Sequence, residues 1–535
     1  MTPDLRGPEL AGKEAGTENG PERSNGDPVS AALSVLAQTF AIAAEPTPSG
    51  TRQRTWLDTF DWRLNRAGLV LEYEHARRGG RLLLTKDDMT QAEQPVSGWS
   101  PTRPQLASDL PAGPVRDQIV KLASPRALLP MAKAAGRTSV TRLLNTDGKT
   151  VARLIVDRSS VTSAGATEGL PPRLTIAEVR GYSGQARRAA QLLAEIPGVA
   201  PAPDAFTEAL TAVGRHPADY SNGLDTPITA AMPAAVAVAT LLLRMLDIVE
   251  LNVHGVLRDI DTEFLHDLRV SVRRTRSAIK LLGQVLPAGL ARQYAAEFKW
   301  LGDLTTPTRD LDVYLLGFPG MADELVAASA ADLEPFRAFL VKRRAREFRK
   351  LTAGLRSARF KALVADWRQE LTEIRDGGGP RKHRKLTAKE LAVSATGRVF
   401  RRVAAQGGAI TALSAPEALH DLRKRCKELR YLLEFFAPLH DPEAYRKVIG
   451  DLKALQDCLG EFQDSQVQRV ELHALADAML AERAAPAATL LAMGEIAAGL
   501  VLSQGEARAA FARRFARFAG SAGRERIRVL LEADQ

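Results

Sequence analysis

Through roughly the first 200 residues, apolar positions come in short alternating runs separated by turn residues, a pattern that predicts strands. Leu69 to Glu74, Arg81 to Thr85, Thr150 to Val156 and Leu174 to Val179 have strand length and strand composition. Gly79-Gly80 marks a hairpin turn, and Pro95 to Pro114 is a proline-rich connection that no helix crosses. Gln185 to Ile196 reads as a helix, so this half is mainly β with a few helices. From Pro227 onward the period changes to 3.6 over long stretches rich in Ala, Leu, Arg and Glu, the composition of a helical bundle.

The change of period divides the chain, and 535 residues is more than one ordinary core accommodates. Residues 1–28 are polar and rich in Gly, Pro and Glu, which predicts a disordered leader. Residues 29–205 form the β-rich domain, 206–224 a linker and 225–535 the helical domain. The longest uncharged apolar stretch, Pro227 to Leu243, is alanine-rich and contains Pro233. A membrane span needs about 20 strongly apolar residues, so this is a buried helix, and no membrane partner is expected.

Within the helical half the sequence repeats at a shift of 154. Glu263, Leu265, His266, Asp267, Leu268, Arg269 and Arg276 recur as Glu417, Leu419, His420, Asp421, Leu422, Arg423 and Arg430. The register holds onward from Lys299, Asp303, Asp310 and Val313 to Lys453, Asp457, Asp464 and Val467. Two copies imply a paired domain rather than a solenoid, with repeat 1 at about 225–375 and repeat 2 at about 386–535. Between them Gly377-Gly378-Gly379-Pro380 precedes the basic run Arg381 to Lys385, read as a solvated linker.

Charge follows the same division. The net charge is +10, and residues 225–535 hold 47 Lys+Arg against 39 Asp+Glu, which leaves only 26 against 24 for residues 1–224. Such concentration points to a polyanion site. The two cysteines, Cys426 and Cys458, belong to no CxxC and read as buried core residues.

At about 100° per residue, His266, Arg269, Arg273, Arg276 and Lys280 fall within roughly 80° on one helix face, beside the apolar face of Leu265, Leu268, Val272 and Ile279. A guanidinium partly walled by a core grips phosphate oxygens better than one in open water. The competing reading is a solvated helix face; the recurrence at His420, Arg423, Lys427 and Arg430 argues against it. The copy is imperfect, since Glu434 replaces the counterpart of Lys280, so the first repeat is expected to bind more strongly. Asp310, Asp312 and Asp464 read as carboxylates that orient arginines.

The segment Glu263-Phe264-Leu265-His266-Asp267-Leu268-Arg269-Val270-Ser271-Val272-Arg273-Arg274-Thr275-Arg276 and the later Arg309-Asp310-Leu311-Asp312-Val313 resemble the CHAD family of helical domains. Leu419-His420-Asp421-Leu422-Arg423-Lys424-Arg425-Cys426-Lys427-Glu428-Leu429-Arg430-Tyr431 resembles the second half of that pattern. The resemblance covers roughly residues 225–535. It implies an all-α domain of two pseudo-twofold-related four-helix bundles with a basic groove or pore for inorganic polyphosphate. Carried over, the binding residues are His266, Arg269, Arg273, Arg276 and Lys299, with His420, Arg423, Lys427, Arg430 and Lys453; Lys280, on the same stripe, and Arg309 complete the expected polyphosphate-binding set.

Leu57-Asp58-Thr59-Phe60-Asp61-Trp62-Arg63-Leu64, Gly68 to Leu71 and Leu83-Leu84-Thr85-Lys86 are similar to the CYTH family of triphosphate tunnel domains, which makes the whole chain a multidomain α+β protein with an antiparallel β-rich N-terminal domain. That family opens on a Glu-x-Glu-x-Lys strand, which nothing between Met1 and Arg52 supplies, and Glu72 and Glu74 stand where basic residues grip triphosphate. The domain is therefore read as degenerate.

The expected function is polyphosphate capture in the cytoplasm, associated with polyphosphate granules, with no catalytic residue, no resident metal and no cofactor. A divalent cation such as Mg²⁺ could accompany the ligand. No GxxxxGK[ST], HExxH or GxSxG motif is present. A metal-dependent tripolyphosphatase in the N-terminal half, with acids such as Glu178, is the alternative. Nucleic-acid binding comes third, because no stacking aromatics interleave the basic run and aromatic content is 5%.

Overall fold

A computed structural model of the chain describes residues 27–44, 51–76, 79–87, 89–163, 166–378 and 386–532. Most of the expected leader and the basic run Arg381 to Lys385 lie outside the described residues. The chain divides into two compact units, residues 1–104, 108–122 and 128–219 in the first, and 105–107, 123–127 and 220–535 in the second.

The elements up to residue 219 are α1 (Pro28–Ala37), β1 (Ala41–Ala44), β2 (Arg52–Thr59), α2 (Arg63–Arg66), β3 (Leu69–Ala76), β4 (Gly79–Lys86), β5 (Met89–Val96), β6 (Gln105–Leu106), α3 (Pro114–Ala123), β7 (Ala127–Leu144), β8 (Thr150–Ser163), β9 (Ala166–Gly169), β10 (Arg173–Glu178), α4 (Ser183–Ala194) and α5 (Ala205–Ala212). In the first unit the sheet runs β10-β8-β7-β2-β3-β4-β5 with antiparallel neighbours, and β1 and β9 add to β7 and β8. Alternation sets its faces: Leu71 and Tyr73 of β3 bury with Leu82 and Leu84 of β4, while Glu72, Glu74 and Arg81 point the other way.

Two local readings change. Gly79 and Gly80 are the first residues of β4, paired with Ala76 and His75. Glycine is needed there because a Cβ on Gly80 would lie 2.2 Å from the Tyr73 ring. The stretch 206–224 opens within α5, whose Phe206, Ala209 and Leu210 bury against Trp56 and Trp62.

The second unit contributes α6 (Ala234–Leu257), α7 (Thr262–Leu282), α8 (Leu290–Asp323), α9 (Ala330–Arg356), α10 (Ala358–Glu373), α11 (Ala388–Gly408), α12 (Pro416–Phe435), α13 (Pro442–Ala481), α14 (Ala487–Ala519) and α15 (Ser521–Glu532). The apolar stretch after Pro227 becomes α6, buried around most of its circumference, with Pro233 as its N-cap where a missing N–H costs nothing. Helices α6 and α11 start 154 residues apart, as do α7 and α12, so the sequence register is also a structural one. Their entries interlock: the Ala234 N–H donates to Leu386 O at 2.8 Å and the Ala388 N–H to Met232 O at 2.7 Å. A shared core of Tyr314, Phe318, Phe336, Leu340, Leu472, Met479, Met493 and Ile496 joins α8, α9, α13 and α14. By length and composition α14 is apolar enough to cross a membrane, although it packs along α13 and its Glu495 accepts the Ala327 and Ala328 N–H groups.

Candidate polyanion-binding groove

The cationic face of α7 is set by what its other side buries. Asp261 caps the helix, accepting the Glu263 and Phe264 N–H groups at 2.9 and 3.3 Å. Asp267, buried, accepts from Arg126 Nη2 at 2.5 Å, the Tyr220 hydroxyl at 2.8 Å and the Asn222 amide at 2.8 Å. Arg126 also reaches Asp261 at 3.3 Å and lies over the Phe264 ring. With Asp267 and Leu268 fixed inward, Arg273, Arg276 and Lys280 are exposed, and His266 and Arg269 half-buried.

Near the start of α7, Arg309 Nη2 donates to His266 Nδ1 at 2.9 Å. Burial, and then the Arg309 charge, hold the His266 imidazole below its ordinary pKa. Arg269 donates to Thr306 Oγ1 and to Gly302 O, with Asp310 at 3.9 Å. Farther along, Arg273 and Arg276 make no ion pair or side-chain hydrogen bond among the described residues. Lys299, exposed, pairs with Asp303 at 2.6 Å, and Lys453 is also exposed.

On α12, which lies beside α7, Arg423 pairs with Asp464 at 2.8 Å and Arg430 with Glu434 at 3.3 Å. Lys427 has no such partner among the described residues. Burial, then repulsion from Arg423 and Arg273, pushes its ammonium down to about 8. His420 is half-buried, with no hydrogen-bond partner for Nδ1.

Two ion pairs link the helices: Lys280 with Glu428 at 2.7 Å, and Arg274 with Glu434 at 3.3 Å. At the 154-residue shift Glu428 occupies the place of Arg274, and Glu434 that of Lys280, so the pairs are reciprocal. The imperfection in the repeat is thus a charge reversal at a contact between the two copies.

Two cavities share Lys427. The first, about 610 Å³, is bordered by Arg273, Arg276, Lys280, Lys424, Arg425 and Lys427 against only Asp421 and Glu428. The second, about 880 Å³, has Arg423, Lys427 and Arg430 on its α12 side. Six of the expected residues (Arg273, Arg276, Lys280, Arg423, Lys427 and Arg430) therefore border one pair of cavities. His266 is bonded to Arg309, and Arg269 to Thr306 and Gly302; His266, Arg269 and Arg309, with Lys299, Lys453 and His420, border neither cavity. Lys424 and Arg425 were not expected: their counterparts are Val270 and Ser271, so a search for recurring cations passes over them.

Asp310, Asp312 and Asp464 each face an arginine, Arg269, Arg344 and Arg423. Among the described residues no three His, Cys, Asp or Glu side chains come together as a metal site. Cys426 and Cys458 are buried free thiols.

In the first unit, Glu74 binds Arg52 at 2.6 Å and Arg81 at 2.5 Å, and Arg54 binds Asp157 at 2.9 Å. Burial raises the Glu74 carboxyl, but the hydrogen bonds from Arg81 and Arg52 outweigh it and leave the group below its ordinary value. Glu72 is raised, by burial. The acids standing where basic residues were expected thus engage the arginines of β2 and β4.

Solved structures similar to the chain include the CHAD domain from the plant Ricinus communis, 24% identical, covering 56% of this chain and 95% of that one with a TM-score of 0.43. Another is PptA from Streptomyces chartreusis, 16% identical, covering 53% of this chain and 99% of that one with a TM-score of 0.42. No curated protein matches the chain. The CHAD domain family matches residues 240–473, and over that span the chain carries a CHAD domain.

Proposed function

We propose that the helical domain captures inorganic polyphosphate in the groove between α7 and α12, and that the protein associates through it with polyphosphate granules in the cytoplasm. The observation that carries this reading is that Arg273, Arg276 and Lys427, cations without carboxylate partners among the described residues, border cavities that share one residue. Cations held together against their own repulsion favour an anion with many charges and little shape, and the CHAD family is linked to polyphosphate binding. The reciprocal contacts Ala234/Leu386 with Ala388/Met232, and Lys280/Glu428 with Arg274/Glu434, support two helical bundles related by a pseudo-twofold axis. A divalent cation would enter with the phosphate chain.

The first unit fits a degenerate triphosphate tunnel domain whose arginines are satisfied by its own acids. We read it as a scaffold, with hydrolysis as the alternative, and nucleic acid as the weaker partner of the chain.

The test is polyphosphate binding by the full chain against Arg269→Ala/Arg273→Ala and Arg423→Ala/Lys427→Ala. Binding should weaken in both, more in the first, and the log-log salt dependence should flatten by about one unit per lost phosphate contact. Affinity unchanged in both variants, or displacement of long-chain polyphosphate by double-stranded DNA, would overturn the reading.

A further inference from the structure

The second cavity differs in kind from the first. Opposite Arg423, Lys427 and Arg430 it carries Asp457, Glu461 and Asp464 of α13 and Glu506 of α14. Arg423 and Asp464 engage each other and Arg430 engages Glu434. Lys427 on one side, and Asp457, Glu461 and Glu506 on the other, make no ion pair among the described residues.

Gln456 also borders this cavity. It is only 8% exposed, and its side-chain Nε2 is buried without a hydrogen-bond partner. A buried amide donor of this kind requires an acceptor, and the cavity is where one can enter. Gln456 stands at the position of Gly302 in the first repeat, where a Cβ would lie 3.0 Å from Arg276 Nη1. The first repeat thus leaves space for an arginine, while the second installs a neutral donor.

Donors and unengaged carboxylates together suit a group that both accepts and donates. An interior phosphate of a polyphosphate chain only accepts. A terminal phosphoryl group loses its second proton at about pH 6, as a phosphate monoester does, so below that pH it keeps an O–H beside its acceptor oxygens.

We propose that the second cavity is a chain-end subsite, where the terminal phosphoryl group of polyphosphate accepts from Gln456 and Lys427 and donates its hydroxyl to Glu461. This deepens, and rests on, the polyphosphate reading of the groove. The remainder of the chain runs past Lys427 along Arg273 and Arg276 in the first cavity.

Linear hexaphosphate and cyclic hexametaphosphate test the assignment, because below about pH 6 the linear form has both ends protonated and the two carry equal charge. With the full chain at about pH 5.5, the linear form should bind roughly fivefold to tenfold tighter, the worth of one or two hydrogen bonds. That preference should fall below about twofold in Gln456→Leu and in the exposed-site variant Glu461→Gln, with melting temperature checking the fold of each. Phenyl phosphate, an end without a chain, should not displace the linear form at equal concentration. Equal binding of the two hexaphosphates, a preference that survives both substitutions, or displacement by phenyl phosphate would overturn the subsite. Failure of the wild-type chain to bind long-chain polyphosphate would overturn the underlying reading instead.

Discussion

The Tyr314 hydroxyl donates to the backbone carbonyl of Gln468 at 3.2 Å, and Gln468 holds Tyr314's own place in the second repeat, 154 residues on. The same reciprocity joins Lys280 to the counterpart of Arg274, and Arg274 to the counterpart of Lys280. Had both repeats kept Arg274 and Lys280, four cations would meet across α7 and α12. Glu428 and Glu434 in the second repeat turn that repulsion into two ion pairs.

Restoring repeat symmetry with Glu434→Lys should therefore destabilise the helical unit. The substitution removes the partner of both Arg274 and Arg430 and adds a cation beside them. The pairs are only partly exposed, so a cost of about 1–3 kcal/mol is expected, shrinking as salt screens the repulsion. Urea unfolding at low and high salt measures it; a cost independent of salt would refute the electrostatic account.

Lys427 should make polyphosphate binding sensitive to pH above neutrality. Its folded value of about 8 lies below the ordinary 10.5, because of burial and then the neighbouring Arg423 and Arg273. The crowding therefore lowers folded stability at pH 7 and is relieved as pH rises from about 8 toward 10.5. Binding runs the other way: a polyanion favours the charged form, so affinity should decline through pH 8 to 10, with proton uptake on binding near pH 8. Lys427→Arg, which stays charged, should flatten that decline. Calorimetry in buffers of different ionisation enthalpy checks the proton count.

Much of this site could be read from residues alone, because a stripe at helical spacing that recurs at a fixed shift needs no tertiary information. What could not be read depends on partners remote in sequence. Lys280 lies on the stripe, yet Glu428, 148 residues away, engages it. Strand β7 has an Ala- and Gly-containing sequence with little strand signal, and forms because β2 and β8 pair with it on either side. Arg126 belongs to no motif or repeat in the sequence, and gives no hint that it meets Asp261 and Asp267.

That arginine carries a separate prediction. Arg126→Met would leave Asp261 and Asp267 buried without their cation, and the expected loss is about 3–5 kcal/mol. Burial already raises the Asp261 carboxyl. An acid with a raised folded pKa binds more protons when folded, so the deficit of the variant should narrow as pH falls from 7 toward 5. Following the far-ultraviolet helical signal in urea at both pH values measures the narrowing, and a constant deficit would refute it.

Two glycines separate packing from helix propensity. Gly255 in α6 faces Phe264 of α7, and a Cβ there would lie 2.2 Å from the ring. Phe264 is buried, and the Arg126 guanidinium lies over its ring, so it has little room to move. A Cβ on Gly499 in α14 would have nothing within 4 Å. Alanine gains up to about 1 kcal/mol over glycine inside a helix, while overpacking a core costs about 1–3 kcal/mol. Gly499→Ala should therefore stabilise the chain and Gly255→Ala destabilise it, although both make the same chemical change. Melting temperatures of the two variants decide the matter: a gain in both would mean that the α6–α7 contact is looser than its geometry indicates, and that α7 is not held rigidly by its buried face.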